Sequence, residues 1–116
     1  MTDRSAILKI KAQTRRMIRR LGETGTDPSN ADRALLGALA VAHFARVTGS
    51  AQDVLSDPET VLADLLADLM HWCDVQKSNR DQESIEFGPA LERARDYYHE
   101  ELSDELLKRD ESTLTL

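Results

Sequence analysis

The sequence predicts an all-α fold: a compact, four-helix bundle-like domain with an amphipathic basic N-terminal helix, formed by residues 1–116 as a single domain. Three observations lead there. Four segments carry apolar residues on helical faces, and none alternates convincingly as a strand would. Aromatic residues are only 4% of the chain against 41% hydrophobic, so the core is built from Leu, Ala, Val and Ile. Two of the segments are rich in apolar positions and two are plainly amphipathic, joined by connections of moderate length.

The first helix runs from Thr2 or Asp3 to Leu21. Ile7, Ile10, Thr14, Met17, Ile18 and Leu21 share one stripe roughly 100° wide, and basic residues fan around the rest. Gly22 and Gly25 punctuate its end, and residues 24–30 (TGTDPSN) read as a turn. Residues 1–22 thus form a basic helix, either protruding or building an interface.

The second helix opens at Asp27-Pro28 or at Asn30, each offering a capping oxygen, and runs to Thr48. Gly49 stands where the left-handed C-terminal conformation falls. Between Ala34 and Ala45 only His43 is polar, and a helix apolar all round is normally buried. His43 is then expected as a core or boundary residue with one hydrogen bond. Gly37, Ala38, Ala42 and Ala45 would let another backbone come close.

The third helix opens at Ser56 or Asp57, with Pro58 in the first turn, and continues through Cys73 or a little further. It reads as the central core helix. Residues 76–86 (QKSNRDQESIE) read as a solvated loop. Pro89 suits the start of the fourth helix, whose Leu91, Ala94, Tyr98, Leu102 and Leu106 form a single face. Residues 110–116 are expected to fray.

The charge is divided unevenly. Residues 1–20 hold seven bases and one acid, net +6, while the other 96 residues hold eight bases and twenty acids, net −12. A basic arm on an acidic body bears on partners, the chain itself included. A lone cysteine, Cys73, allows no intrachain disulfide and points to a reducing, cytoplasmic location; on the buried arc it is expected as an inert thiol. The longest uncharged run is twelve residues, 34–45, too short for the roughly 20 that span a bilayer. The basic N-terminus lacks the apolar stretch of a secretory signal, and packing in the mature fold is preferred to a transit-peptide reading.

Two places could carry chemistry or binding. On the third helix Asp57, Asp64, Asp68 and His71 fall within a sector of roughly 60°. Carboxylate and imidazole groups suit a divalent metal or acid–base work, provided another helix brings ligands. Asp96, His99 and Glu100 are the candidates for that. The simpler reading makes this stripe the solvated side of a core helix, because apolar residues fill the opposite arc. Stacked acids at i, i+4 cost only about 0.2–0.5 kcal/mol, so no function is needed to tolerate them. The acids Asp64 and Asp68 also qualify as a charged partner surface.

The second place is the first helix, where Lys9, Lys11, Arg15, Arg16, Arg19 and Arg20 could bind a protein partner or, through phosphates, a nucleic acid. Its apolar side lacks Trp and Phe, which disfavours a membrane surface. Packing on the acidic body, its own or that of a second copy in a homodimer, is the preferred reading. Phosphate-binding loops, nucleophile elbows and dinucleotide fingerprints are absent. No cofactor is expected.

Residues 47–101 contain TGS, then DPETVLADLLADLMHWCD and IEFGPALERARDYYHEE. This pattern resembles a group of small uncharacterised bacterial proteins encoded on plasmids and prophages, with an "ADLLxDLMHW" helix followed by an "FxxALxRAxxHYxxE" helix. The resemblance covers about half the chain and implies a helical fold and an accessory role without assigned chemistry. The loop over 76–86 is longer here than that pattern expects. The same half is similar in rhythm to the all-α MazG-like nucleotide pyrophosphohydrolases, where an "ELGDLL" helix precedes an "EEA" helix. Aligning Asp64 with the motif aspartate puts Val61 where a metal-binding glutamate should stand. The second helix offers LLGALAVAHFA in place of an ExxE pair, which implies at most a degenerate relative. The functional expectation is therefore a non-enzymatic interaction protein of a phage or plasmid. It would act on a host defence or nucleic-acid-binding machine by presenting acids where phosphates bind.

Overall fold

Five helices follow one another in the computed structural model, which describes residues 2–77 and 86–114: α1 (Thr2–Thr24), α2 (Asn30–Thr48), α3 (Asp53–Ser56), α4 (Pro58–Lys77) and α5 (Phe87–Leu114). No strand occurs among the described residues, so the protein is all-α. The one-turn α3, between the expected second and third helices, is additional. α5 runs on through Leu114, where fraying from residue 110 is expected: nothing between 90 and 114 is Gly or Pro, and no backbone signal stops the helix. Most of the loop expected over 76–86 lies outside the described residues.

The helix ends follow local chemistry. Gly25 adopts φ 66° and its N–H donates to the Leu21 carbonyl at 2.9 Å, closing α1. Gly49 adopts φ 77°, and the Ser50 N–H reaches the Ala45 carbonyl at 2.8 Å. That pair of features is a Schellman ending, at a φ where a Cβ would be strained. The cap of α2 is Ser29, not Asp27 or Asn30. Its Oγ accepts from the Asp32 N–H at 3.1 Å, and the Ser29 N–H donates to Asp32 Oδ2 at 2.9 Å. This reciprocal capping box satisfies two backbone donors at once.

The contacts divide the chain into two units, Met1–Ala67 and Asp68–Leu116, with the boundary inside α4. In the first unit α1 lies against α2, and α3 touches both. Its core consists of Ile7, Thr14 and Met17 from α1, Ala42 and Ala45 from α2, and Val61 from α4. Thr14 is tolerated there because its Oγ1 donates back to the Ile10 carbonyl at 2.7 Å, leaving no unpaired hydroxyl. Ile10 and Leu21 are half-buried, but Ile18, at the edge of the predicted stripe, is exposed.

α2 departs from expectation. Only one side of it is covered, around Ala42 and Ala45; Leu36, Ala40, His43 and Val47, spaced i, i+4, i+7 and i+11, are all exposed. His43 is therefore a surface residue. The small side chains at 42 and 45 seat this helix, whereas a Cβ added at Gly37 would meet nothing within 4 Å, so no backbone approaches there.

In the second unit, Cys73 is buried as expected, and it alone is buried among the described side chains. Leu69, Met70 and Trp72 of α4 are exposed, as are Leu62 and Leu66 in the part of α4 belonging to the first unit. α4 is thus not a covered central helix. On α5 the predicted apolar face is present, with Leu91, Tyr98, Leu102 and Leu106 all open to solvent. Periodicity identifies the face that gains by burial; it does not supply the surface that covers it.

Candidate interaction surface

The candidate bases stand on α1. Lys9, Arg15, Arg16 and Arg19 are exposed, and Lys11 is half-buried. Arg20 behaves differently from its neighbours: its guanidinium donates to Asp32 Oδ1 and pairs with that carboxylate. The Arg20 side chain stays 56% exposed while that of Asp32 is 10% exposed. One end of α1 is therefore fastened in cis to the start of α2, and Arg20 is committed to the fold.

Asp32 is engaged through both carboxylate oxygens and its backbone. Oδ2 accepts from the Ser29 backbone, Oδ1 accepts from Arg20, and its own N–H is capped by Ser29. The backbone hydrogen bond from Ser29, followed by the Arg20 guanidinium, holds its carboxyl below the ordinary aspartate value. These bonds stabilise the ionised form and make the residue structural. The S-x-x-D spacing of Ser29 and Asp32 is the signal in the sequence that marks this capping pair.

Asp64, Asp68 and His71 of α4 are each exposed, as are Asp96, His99 and Glu100 of α5. Among the described residues no group of three or more His, Cys, Asp or Glu side chains is arranged to hold a metal ion. The His99 ring sits edge-on to Tyr98, with centroids 5.5 Å apart, which occupies its face locally. Asp57, at the head of the same stripe, is engaged at the start of α4, where the Thr60 N–H reaches its Oδ1 at a long 3.4 Å.

What the second unit does present is apolar surface beside acids. Trp72 is 50% exposed, Tyr98 58% and Leu106 58%. Glu92, Asp96, Glu100, Asp104 and Asp110 lie along the same α5. Single exposed apolar residues are ordinary, but Tyr98, Leu102 and Leu106 recur at helical spacing along α5. Where α5 begins, Lys77 and Glu86 form an exposed pair at 4.0 Å, a contact of small energetic weight. Among the described residues no helix is long and apolar enough to cross a membrane.

No family model, curated protein or solved structure matches the chain.

Proposed function

We propose that this is a non-enzymatic interaction protein that binds a protein partner through the apolar, acid-flanked faces of α4 and α5, in service of a phage or plasmid. The observation that carries the binding reading is the row Leu91, Tyr98, Leu102 and Leu106, open along a helix of 28 residues. Most helical stability in proteins comes from packing an apolar face, so such a row calls for a covering surface. The acids beside it select against nucleic acid at this site and for a partner with basic residues. What supports the mobile-element role is the resemblance of residues 47–101 to plasmid and prophage proteins.

The test is affinity capture from bacterial lysate with the wild-type chain and with Tyr98→Glu and Leu102→Glu. A stoichiometric partner retained by wild type and lost in both variants supports the reading. Absence of any partner, with no self-association and no change in phage or plasmid restriction on expression, refutes it.

A second reading is favoured by one specific feature, the exposed Lys9, Arg15, Arg16 and Arg19 of α1. These would bind nucleic acid by phosphate contact, with affinity falling steeply as salt rises. Unchanged retention on DNA after replacing Arg15, Arg16 and Arg19 by Gln would end that reading. Turnover of nucleotides with Mg²⁺ or Mn²⁺, lost in Asp64→Asn, would instead favour the hydrolase relative.

A further inference from the structure

We infer, building on the nucleic-acid reading of α1 above, that the outward face of this helix binds the phosphate backbone of a double helix through Lys9, Arg15, Arg16 and Arg19.

Helical geometry defines that face. At about 100° per residue, buried Ile7, Thr14 and Met17 and half-buried Ile10 and Leu21 gather on one side of α1. Lys9, Arg15, Arg16 and Arg19 are all exposed and fall within a sector of about 120° centred on the opposite side. Lys11 and Arg20 stand on the two flanks, where Lys11 is half-buried and Arg20 is held by Asp32. Leu8 and Glu23, exposed towards the two ends of the helix, share the outward face with the four bases.

Charge and spacing name the ligand. α1 holds seven bases and two acids, net +5, in a chain whose net charge is −6. From Lys9 to Arg19 the face runs about 15 Å along the helix axis. A duplex carries one phosphate charge per about 1.7 Å of its own axis, so a helix laid along it meets about nine charges over that length. At that density each of the four bases finds a phosphate, whereas an acidic protein would have to supply carboxylates at matching positions.

Two further features separate a duplex from other polyanions. α1 contains no Phe, Tyr or Trp, so it offers no platform on which unpaired bases could stack. Its apolar side is spent in the core, where α1 lies against α2, which removes the anchor that an anionic membrane needs.

The full chain is titrated into a short labelled duplex of mixed sequence, and into one of its strands alone, at several salt concentrations. Expected is duplex binding whose log affinity falls against log salt with a slope of about −3.6, four contacts at about 0.9 each. That slope is a loss of about 150-fold between about 50 and 200 mM salt. The single strand should bind more weakly. Lys9→Gln should bring the slope to about −2.7, and Arg15→Gln, Arg16→Gln and Arg19→Gln together to about −0.9. Glu23→Gln should tighten binding by removing a like charge from the ligand's path. Arg20→Gln should leave the slope unchanged, because that guanidinium already serves Asp32. Far-UV circular dichroism confirms that each variant folds; every substituted position is exposed, so none empties a core.

A slope that the triple variant leaves unchanged overturns the inference, and so does one flattened as much by Arg20→Gln as by Lys9→Gln. Tighter binding to the single strand overturns the duplex assignment while the nucleic-acid reading stands. No binding to either at low salt overturns both.

Discussion

Replacing Ser29 by Ala tests how α1 and α2 are joined. The change removes the Oγ that accepts from the Asp32 N–H at 3.1 Å, while leaving the Ser29 N–H bonded to Asp32 Oδ2. Losing a serine N-cap costs about 1 kcal/mol. For a chain of this length that corresponds to a fall of about 3–5 °C in Tm. The cost is not confined to one bond, because the cap also orients the carboxylate that receives Arg20. Arg20→Met removes a pair whose cation is more than half exposed and screened by solvent, so it should cost less than the loss of the cap. The assay is thermal unfolding followed by far-UV circular dichroism, with both single variants and the double variant forming a cycle. The cycle should show coupling, since both partners act on Asp32. An unchanged Tm for Ser29→Ala, or strictly additive effects, would refute the account of Asp32 as the shared junction.

Three further outcomes are expected. The carboxyl of Asp32 is held below its ordinary value, so its contribution to stability is complete above the unfolded aspartate pKa of about 3.9. That contribution disappears as pH falls through the lower folded value. Wild type should therefore lose more stability on acidification than Asp32→Asn, and parallel acid melts of the two chains would contradict this. Val61 is 1% exposed and Leu62, its neighbour on α4, is 45% exposed. Val61→Ala should cost about 1–2 kcal/mol, the lost methyl groups and cavity outweighing the better helix propensity of Ala by about 0.5 kcal/mol. Leu62→Ala should cost less than about 1 kcal/mol in the monomer, and urea unfolding in which Leu62 matters more would reverse the assignment. Asp64→Asn and Asp68→Asn should leave stability within about 0.5 kcal/mol of wild type, as expected for exposed acids at i, i+4. A thermal shift with Mg²⁺, Mn²⁺ or Zn²⁺ that either substitution abolishes would reopen the metal reading.

These predictions turn on a division between what is local and what is not. The endings of α1 and α2 were legible because Gly25 and Gly49 relieve a steric conflict within a few residues of themselves. The start of α4 at Pro58 follows from a missing N–H that the first turn does not need. That Asp64, Asp68 and His71 share a face follows for the same kind of reason, since 3.6 residues per turn sets which positions align; that the opposite side of α4 is exposed too does not. The Ser29–Asp32 box was also written locally, in an S-x-x-D spacing, but Arg20 joins it from twelve residues away. No periodicity marks which of the six candidate bases on α1 makes that pair.

The sequence by itself determined that this protein is helical, where most helices begin and end, which faces are apolar, and that a basic helix precedes an acidic body. Those properties depend on backbone sterics and on side-chain order along a single helix. Only the tertiary structure decided that α2 is covered on one side, that His43 and Ile18 stand outside, that Arg20 is spent on Asp32, and that α4 and α5 leave Trp72, Tyr98 and Leu106 open. The reason is physical: an apolar face gains free energy against any surface that excludes water, so its pattern cannot specify which surface that is.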